Sequence, residues 1–202
     1  KKNSASRGMS INRRRALTAA AAAGLALGSR GALFTAARAD ETPKSGGTLK
    51  LALGGSSSSD SMDPTTTQNS MGTVLDRLTY STLVEVDATG KLLPELAESW
   101  SSNDGADRWT FRLQKGVPFH NGQPLTAADV IYSINRNLSK DSKSGAKPLL
   151  AAVTKLEAEG DDTVVFTLDG GKADFPYVLG DYHLGIVPDV FSDWNNPVST
   201  GP

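Results

Sequence analysis

The sequence contains no cysteine and only two histidines, His120 and His183, which excludes several kinds of site. Without cysteine there is no disulfide, no thiolate nucleophile and no cysteine-ligated metal centre. A zinc site in a protein usually needs three or four ligands, and the sequence has neither an H-E-x-x-H nor an H-x-H spacing to supply them. We therefore predict no metal site and no cofactor.

The sequence also lacks the short motifs of several enzyme classes. There is no G-x-S-x-G elbow, no phosphate-binding P-loop and no G-x-G-x-x-G, which hydrolases, ATPases and dinucleotide-binding enzymes usually show. A nucleophile among Ser56–Ser59 would need a base, and His183 is the one plausible partner. The sequence cannot place the two together, so the hydrolase, ATPase and dinucleotide-binding interpretations lack their usual sequence marks.

Charged residues divide the chain into two unlike parts. Residues 1–39 carry eight lysines and arginines and no acid, whereas residues 40–202 carry 13 bases against 22 acids, a net charge of −9. We expect the second part to be an acidic, soluble protein without a nucleic-acid partner.

The basic N-terminal part has the features of an export signal in the usual order. The pair Arg13-Arg14, followed by Leu17, resembles a twin-arginine motif. The alanine-rich run Ala16–Gly28 is shorter than the roughly 20 residues that span a bilayer. The alternative for this part is an ordinary alanine-rich helix or a membrane anchor.

Small residues at Ala37 and Ala39 occupy the two positions that a signal peptidase reads. We predict that residues 1–39 are a twin-arginine-type signal peptide with an upstream extension, cleaved between Ala39 and Asp40. Export would place the mature protein in the periplasm. Since no cysteine follows the leader, a lipid anchor of the bacterial lipoprotein type is excluded.

The segment from Trp109 to Asn137 predicts a strand, a turn and a capped helix in close succession. Apolar residues alternate with polar ones over residues 109–114, which is the period of a strand with one buried face. Asn121-Gly122 is a turn signal. Thr126 and Asp129 form the pattern of a capping box, in which the carboxylate reaches back to the first amide of the helix.

This segment, of the form W-T-F-x-L-x-x-G-V-x-F-H-x-G-x-P-L-T-A-x-D-V, resembles the signature region of the solute-binding proteins that feed peptide, oligopeptide and nickel ABC importers. Three further stretches resemble elements of that family: G-G-T-L at 46–49 with Met62-Asp63-Pro64, P-x-L-A-E-S-W at 94–100, and T-G-P at 200–202. The resemblance covers residues 46–202. It implies an α/β, two-lobed type 2 periplasmic-binding-protein fold.

The same resemblance implies a division of the chain and a role. Residues 40–82 would begin lobe I, residues 83–196 would form the subdomain inserted into it, and residues 197–202 would return to lobe I. Only the N-terminal part of lobe I would be present, so we expect a fragment. The function would be the capture of a solute, most simply a peptide, and its delivery to an ABC permease, a cycle without chemistry, so the resemblance implies a protein that is not an enzyme. A monomer is expected.

Two groups of residues are candidate solute contacts by position in that family. Ser58, Ser59 and Asp60 lie in the loop between the first strand and the D-P step, although four consecutive serines also suit a solvated linker. Asp181, Tyr182 and His183 offer a carboxylate, a phenol and an imidazole, although they also suit the end of a packed helix.

The remaining histidine and the adjacent acids have simpler interpretations. His120 beside its turn suits a structural or exposed role, and Asp161 with Asp162 suits a hairpin tip rather than a paired-carboxylate site.

The periodicity predicts several further elements. Strands are expected over 46–53, 83–86 and 183–188, a hairpin over 153–159 and 163–168, a helix capped by Asn69, and a helix beginning at Asp174.

A secreted enzyme, such as a hydrolase or a cofactor-bearing oxidoreductase, is the alternative function, since the twin-arginine route carries folded and often cofactor-loaded proteins.

Overall fold

The computed structural model describes residues 46–48, 50–55, 57, 58 and 60–201. The signal-peptide residues Arg13, Arg14, Ala37 and Ala39 and the candidate contact Ser59 lie outside the described residues. The chain forms two units, Lys1–Lys50 and Leu51–Pro202. Among the described residues, no helix combines the length and the apolar character needed to cross a bilayer.

The second unit combines two antiparallel sheets with three α-helices. Its elements are α1 Ser70–Thr79, β1 Val84–Val86, β2 Leu92–Pro94, β3 Ala97–Ser102, β4 Arg108–Leu113, α2 Ala127–Leu138, β5 Val153–Ala158, β6 Thr163–Leu168 and α3 Phe175–Val178. Short 3-10 helices span Pro64–Thr66 and Tyr182–Leu184. Strands β1 and β2 pair with each other, and the larger sheet has the order β3-β4-β6-β5.

An aromatic cluster forms the centre of the core on the larger sheet. Phe111 of β4 and Phe166 of β6 are fully buried, with ring centroids 5.5 Å apart in an edge-to-face arrangement. Phe175 of α3 meets Phe166 at 5.2 Å. Burying such rings removes a large apolar area from water, and edge-to-face pairs add about 1 kcal/mol each. The predicted strand at 109–113 and the predicted hairpin are both confirmed.

Helix α2 packs on this sheet and begins as the capping pattern predicts. The Asp129 carboxylate accepts hydrogen bonds from the backbone N–H of Thr126 at 2.7 Å and from its hydroxyl at 2.8 Å. Its other oxygen accepts from the N–H of Asp189 at 2.8 Å, so one buried carboxylate joins two segments. Val130 and Ile134 are fully buried against the core, which confirms the apolar stripe.

Helix α1 is capped as predicted but packs through a different face. The side chain of Asn69 accepts from the N–H of Gly72 at 2.8 Å. The apolar face that includes Leu78 is only partly covered, and Leu78 itself is 51% exposed. The residue of this helix that is buried is Asp76.

Two predicted strands are wrong. The described residues within 46–53 form no ladder, and Leu51 is 54% exposed, because alternating side chains do not supply the neighbouring strand that backbone groups need. Around His183 the chain turns into a 3-10 helix instead.

The local bonding at residues 181–187 explains this turn. The Asp181 carboxylate accepts from the N–H of His183 at 3.0 Å and caps the 3-10 helix. The N–H groups of Ile186 and Val187 then bond to the Ser81 carbonyl and the Ser133 hydroxyl rather than to a strand. The helix predicted from Asp174 is present but short, at four residues.

Replacing Asp129 with alanine is expected to lower the free energy of unfolding by about 2 kcal/mol, because a helix cap is lost and the partly buried N–H groups of Thr126 and Asp189 lose their acceptor. Urea unfolding measures the loss. Asp161→Ala, at the exposed hairpin tip, is the matched control and should change stability by less than about 0.5 kcal/mol. Equal losses in the two variants would contradict the role of Asp129.

Candidate functional site

The loop before α1 borders two adjoining cavities. The Asp60 carboxylate accepts from the N–H of Ser57 at 2.8 Å, which closes a tight turn around the exposed Ser58. Asp60 lines both cavities, of about 250 Å³ and 240 Å³. The first is polar and is lined by Asp60, Ser61, Thr66, Thr67, Gln68, Asn69 and Gly72.

The middle of this loop is attached to α2 through a charged pair. Asp63 caps the first 3-10 helix by accepting from the N–H of Thr65 at 3.0 Å. Its second oxygen accepts from Arg136 of α2, and both side chains are mostly buried. The guanidinium of Arg136 also lies 4.2 Å from the ring centre of Trp194, a cation–π arrangement. The pair therefore fixes the loop relative to α2.

The end of the loop fits closely against α1 because residue 72 is glycine. A β-carbon at Gly72 would lie 2.8 Å from Cγ2 of Thr67, which is closer than carbon atoms can pack. The side chain of Asp76, one turn further along α1, reaches the same residue and accepts from the Thr67 hydroxyl at 2.5 Å. Thr67 is thus held by side-chain packing and by a hydrogen bond.

Asp76 is an ionisable group that sequence reasoning missed. Its side chain is almost fully buried, and burial raises the pKa of its carboxyl from 3.8 to about 6, against the opposing effects of the Thr67 hydroxyl and the charge of His183. The signal was present in the spacing of Gly72, Asp76 and Tyr80, which share one face of the helix. The apolar residues at 71, 74, 75 and 78 predict a different buried face of this helix, and that stronger pattern masks the polar one.

The second candidate group folds into a compact turn. His183 is 6% exposed, its Nδ1 lies 2.6 Å from Oδ1 of Asp181, and its Nε2 lies 3.1 Å from the carbonyl oxygen of Thr67. The Tyr182 ring stacks on the imidazole at 4.1 Å. Both ring nitrogens of His183 are therefore engaged within the chain.

The two acid–base partners shift each other in opposite directions. Burial lowers the pKa of His183, but the hydrogen bond and charge of Asp181 outweigh it and raise that pKa above its ordinary value. Burial raises the pKa of Asp181, but the hydrogen bonds from His183 hold it below its ordinary value. The imidazolium–carboxylate pair is thereby stabilised.

Thr67 connects the two candidate groups. With Asp60 it lines the polar cavity, and its carbonyl faces His183. Tyr182 lines a different, smaller cavity of about 110 Å³ together with Asp76 and Glu95. The two groups thus border separate cavities, and Thr67 is the residue that contacts His183 and shares a cavity lining with Asp60.

The other histidine, His120, contacts the last described residue of the chain. His120 directly precedes the predicted Asn121-Gly122 turn, and its Nε2 lies 2.8 Å from the carbonyl oxygen of Gly201. Within the described residues, no group of three or more His, Cys, Asp or Glu side chains is placed to hold a metal ion.

Comparison with known proteins identifies the family. The family described as bacterial extracellular solute-binding proteins, family 5 (middle), matches residues 91–202. This chain belongs to that family. The resemblance read from the sequence is confirmed, and the α/β fold of the periplasmic binding proteins is confirmed by the structural comparison below.

Curated relatives are similar to this family 5 protein over most of the chain. It is 32% identical to the oligopeptide-binding protein AppA of Bacillus subtilis over 64% of the chain and 26% of that protein. It is 30% identical to a probable peptide ABC transporter periplasmic-binding protein of Sinorhizobium fredii over 85% of the chain and 30% of that protein. The chain thus spans under a third of either relative.

Solved structures show the same fold. The binding protein AgaA of A. tumefaciens R10, in complex with agropinic acid, matches with a TM-score of 0.66 and 29% identity over 70% of the chain and 30% of that protein. Bacillus subtilis AppA, in complex with a nonapeptide, matches with a TM-score of 0.62 and 28% identity over 71% of the chain and 31% of that protein.

The raised pKa of Asp76 predicts a pH-dependent stability. A carboxyl whose folded pKa lies above its unfolded value stabilises the fold below the unfolded pKa, and this contribution is lost as pH rises through about 6. Between about pH 4 and pH 7, the stability of the wild type relative to Asp76→Asn should fall by about 2 kcal/mol. Urea unfolding across this range measures the difference, and a difference that does not change with pH would contradict the prediction.

Proposed function

We propose that this chain is part of a protein that captures a solute outside the cytoplasmic membrane, most simply a peptide, and delivers it to an ABC permease. The match of residues 91–202 to family 5 is the observation that carries this proposal. The relatives include an oligopeptide-binding protein and a binding protein in complex with a nonapeptide, which supports the peptide class.

The capture site that we propose is the polar cavity at Asp60–Gly72. Its lining combines the carboxylate of Asp60, the side-chain amides of Gln68 and Asn69 and the hydroxyl of Thr66. These groups suit a peptide, which carries an ammonium group and both backbone donors and acceptors. No bond is made or broken in such a cycle, so function rests on a difference in solute affinity between open and closed states.

The six sequence candidates take different roles in this proposal. Asp60 contacts the solute, and Ser58 and Ser59, which precede it in the sequence, remain candidate contacts. Asp181, Tyr182 and His183 border the network behind Thr67, where His183 holds the loop rather than the solute. The boundaries at residues 82 and 196, which separate lobe I from its inserted subdomain, are part of the same proposal.

Export and partners complete the proposal. The leader at 1–39, with Arg13-Arg14 and the cleavage site after Ala39, would direct the protein to the periplasm by the twin-arginine route. There it would act as a monomer with permease subunits as its partner. A non-enzymatic role is supported by family membership. It is also supported by His183, the one candidate base for a serine nucleophile, because both of its ring nitrogens are engaged elsewhere.

A solute screen tests the function. The full-length mature protein is titrated with peptides, sugars and metal chelates while its melting temperature is recorded, and a bound solute raises that temperature through its affinity for the folded state. We expect stabilisation by peptides. The absence of stabilisation by any solute would overturn the proposal.

Asp60→Asn tests the site once a peptide is found. The substitution keeps an acceptor for the N–H of Ser57 but removes the charge, so peptide Kd should rise about tenfold, as expected for the loss of a charge-assisted hydrogen bond. Asp104→Asn makes the same change in an exposed turn between β3 and β4 and should leave Kd unchanged. Isothermal titration calorimetry distinguishes them, and equal affinities in the two variants would remove Asp60 from the site.

A further inference from the structure

The hydrogen-bond partners of His183 are both acceptors. The carboxylate oxygen of Asp181 lies 2.6 Å from Nδ1, and the carbonyl oxygen of Thr67 lies 3.1 Å from Nε2. A neutral imidazole has one N–H and one lone pair. One of these two contacts would then set a nitrogen lone pair against an oxygen lone pair. Both contacts are favourable together when both nitrogens carry protons.

The remaining way to satisfy both contacts is a neutral Asp181 carboxyl that donates to Nδ1. Its Oδ1 already accepts from the backbone N–H of His183 at 3.0 Å, as a carboxylate does. The hydrogen bonds from His183 also hold the pKa of Asp181 below its ordinary value. The charged pair is therefore the favoured arrangement.

The charges around the ring suit a cation. Asp181 faces it from its own turn, and the charge of Asp76 of α1 also favours the protonated ring. Arg77 of α1 is a cation in this neighbourhood, and it acts on Asp181. Two acidic groups therefore favour the charged imidazole, and the guanidinium of Arg77 acts on Asp181.

The ring is also held sterically. Gly145 packs against its edge, and a β-carbon at this position would lie 2.8 Å from Cε1 and 2.9 Å from Nε2 of His183. The stacked Tyr182 ring covers its face at 4.1 Å. A ring held on two sides cannot easily rotate away when a hydrogen bond becomes unfavourable.

From this geometry we propose that His183 is a positioning residue that acts as an imidazolium. With both nitrogens protonated, it fixes the carbonyl of Thr67 and thereby the loop that borders the polar cavity. Loss of the proton leaves one of its two acceptors without a donor and loosens the loop. The effect on solute rests on the proposed function, whereas the protonation state and its effect on the fold do not.

Nuclear magnetic resonance of the ring nitrogens tests the charge directly. In the wild-type chain near neutral pH, both Nδ1 and Nε2 of His183 should show attached protons, and the ring should titrate at a higher pH than it does in the urea-unfolded chain. His183→Gln identifies which of the two histidine signals disappears. A ring with a single protonated nitrogen at pH 6 would overturn the proposal.

The pH dependence of stability tests the consequence. A histidine whose folded pKa is raised stabilises the fold below its unfolded pKa of about 6.5, and this contribution is lost as pH rises through the folded pKa. The melting temperature of the wild type relative to His183→Gln should therefore fall by about 4 °C or more from pH 6 to pH 9. A constant difference would indicate ordinary packing and would contradict the proposal.

Gly145→Ala provides a second variant that keeps the histidine. Its new methyl group displaces the ring from Thr67, so its melting temperature should show the same loss of pH dependence as His183→Gln.

Peptide affinity is the last measurement. Kd should rise about threefold or more from pH 6 to pH 9 in the wild type and change less in both variants. If no peptide binds at any pH, the proposed function fails while the two-proton ring still supports the positioning role.

Discussion

The burial of Phe111 between neighbouring strands and against Phe166 is the interaction on which the rest of this fold depends. It commits β4 and β6 to one face and one register, because a slip of one residue would turn every ring of the strand to solvent. Helix α2 then has an apolar surface on which to place Val130 and Ile134. Helix α2 then positions Asp129 in its first turn and Arg136 in its last turn. The cavity loop is thus located by the core even though none of its own residues belongs to it.

The loop that borders the polar cavity is held by hydrogen bonds and an ion pair more than by buried apolar surface. Asp63 binds Arg136, and Thr67 is bound through its hydroxyl by Asp76 and through its carbonyl by His183. A hydrophobic contact tolerates small displacements, whereas a hydrogen bond weakens steeply with angle and vanishes with the wrong protonation state. We therefore expect this region to respond to pH, whereas the aromatic core contains no group that titrates. The division suits a binding protein, in which one part keeps its shape and another adjusts to a solute.

Local pattern was enough to predict the parts of the fold whose partners are near in sequence. The alternation at 109–113, the hairpin at 153–168 and the cap at Thr126 each depend on residues within a few positions of one another, and the structure confirms them. The strand expected at 183–188 failed because its backbone bonds to Ser81 and Ser133. The role of His183 depends on Thr67, which lies 116 positions away in the sequence. A local pattern of apolar and polar residues cannot predict a contact between residues so far apart. Family resemblance supplied the fold, but it could not show that the histidine faces inward.

The buried face of α1 shows why such a network resists change at single positions. An apolar residue in place of Asp76 would avoid the desolvation that raises its pKa to about 6. It would also leave the Thr67 hydroxyl without its acceptor, at a cost of about 1–3 kcal/mol for a buried group. The same residue would take away a carboxylate that favours the charged His183. The free energy gained by avoiding the desolvation of Asp76 is similar in size to the free energy lost with the hydrogen bond of Thr67. Since the substitution would also disfavour the charged form of His183, no single substitution at this site is a clear gain. Only coordinated replacement of Thr67, Asp76 and the Asp181–His183 pair removes the buried charges without orphaning a partner, and that would also remove the constraint that fixes the loop.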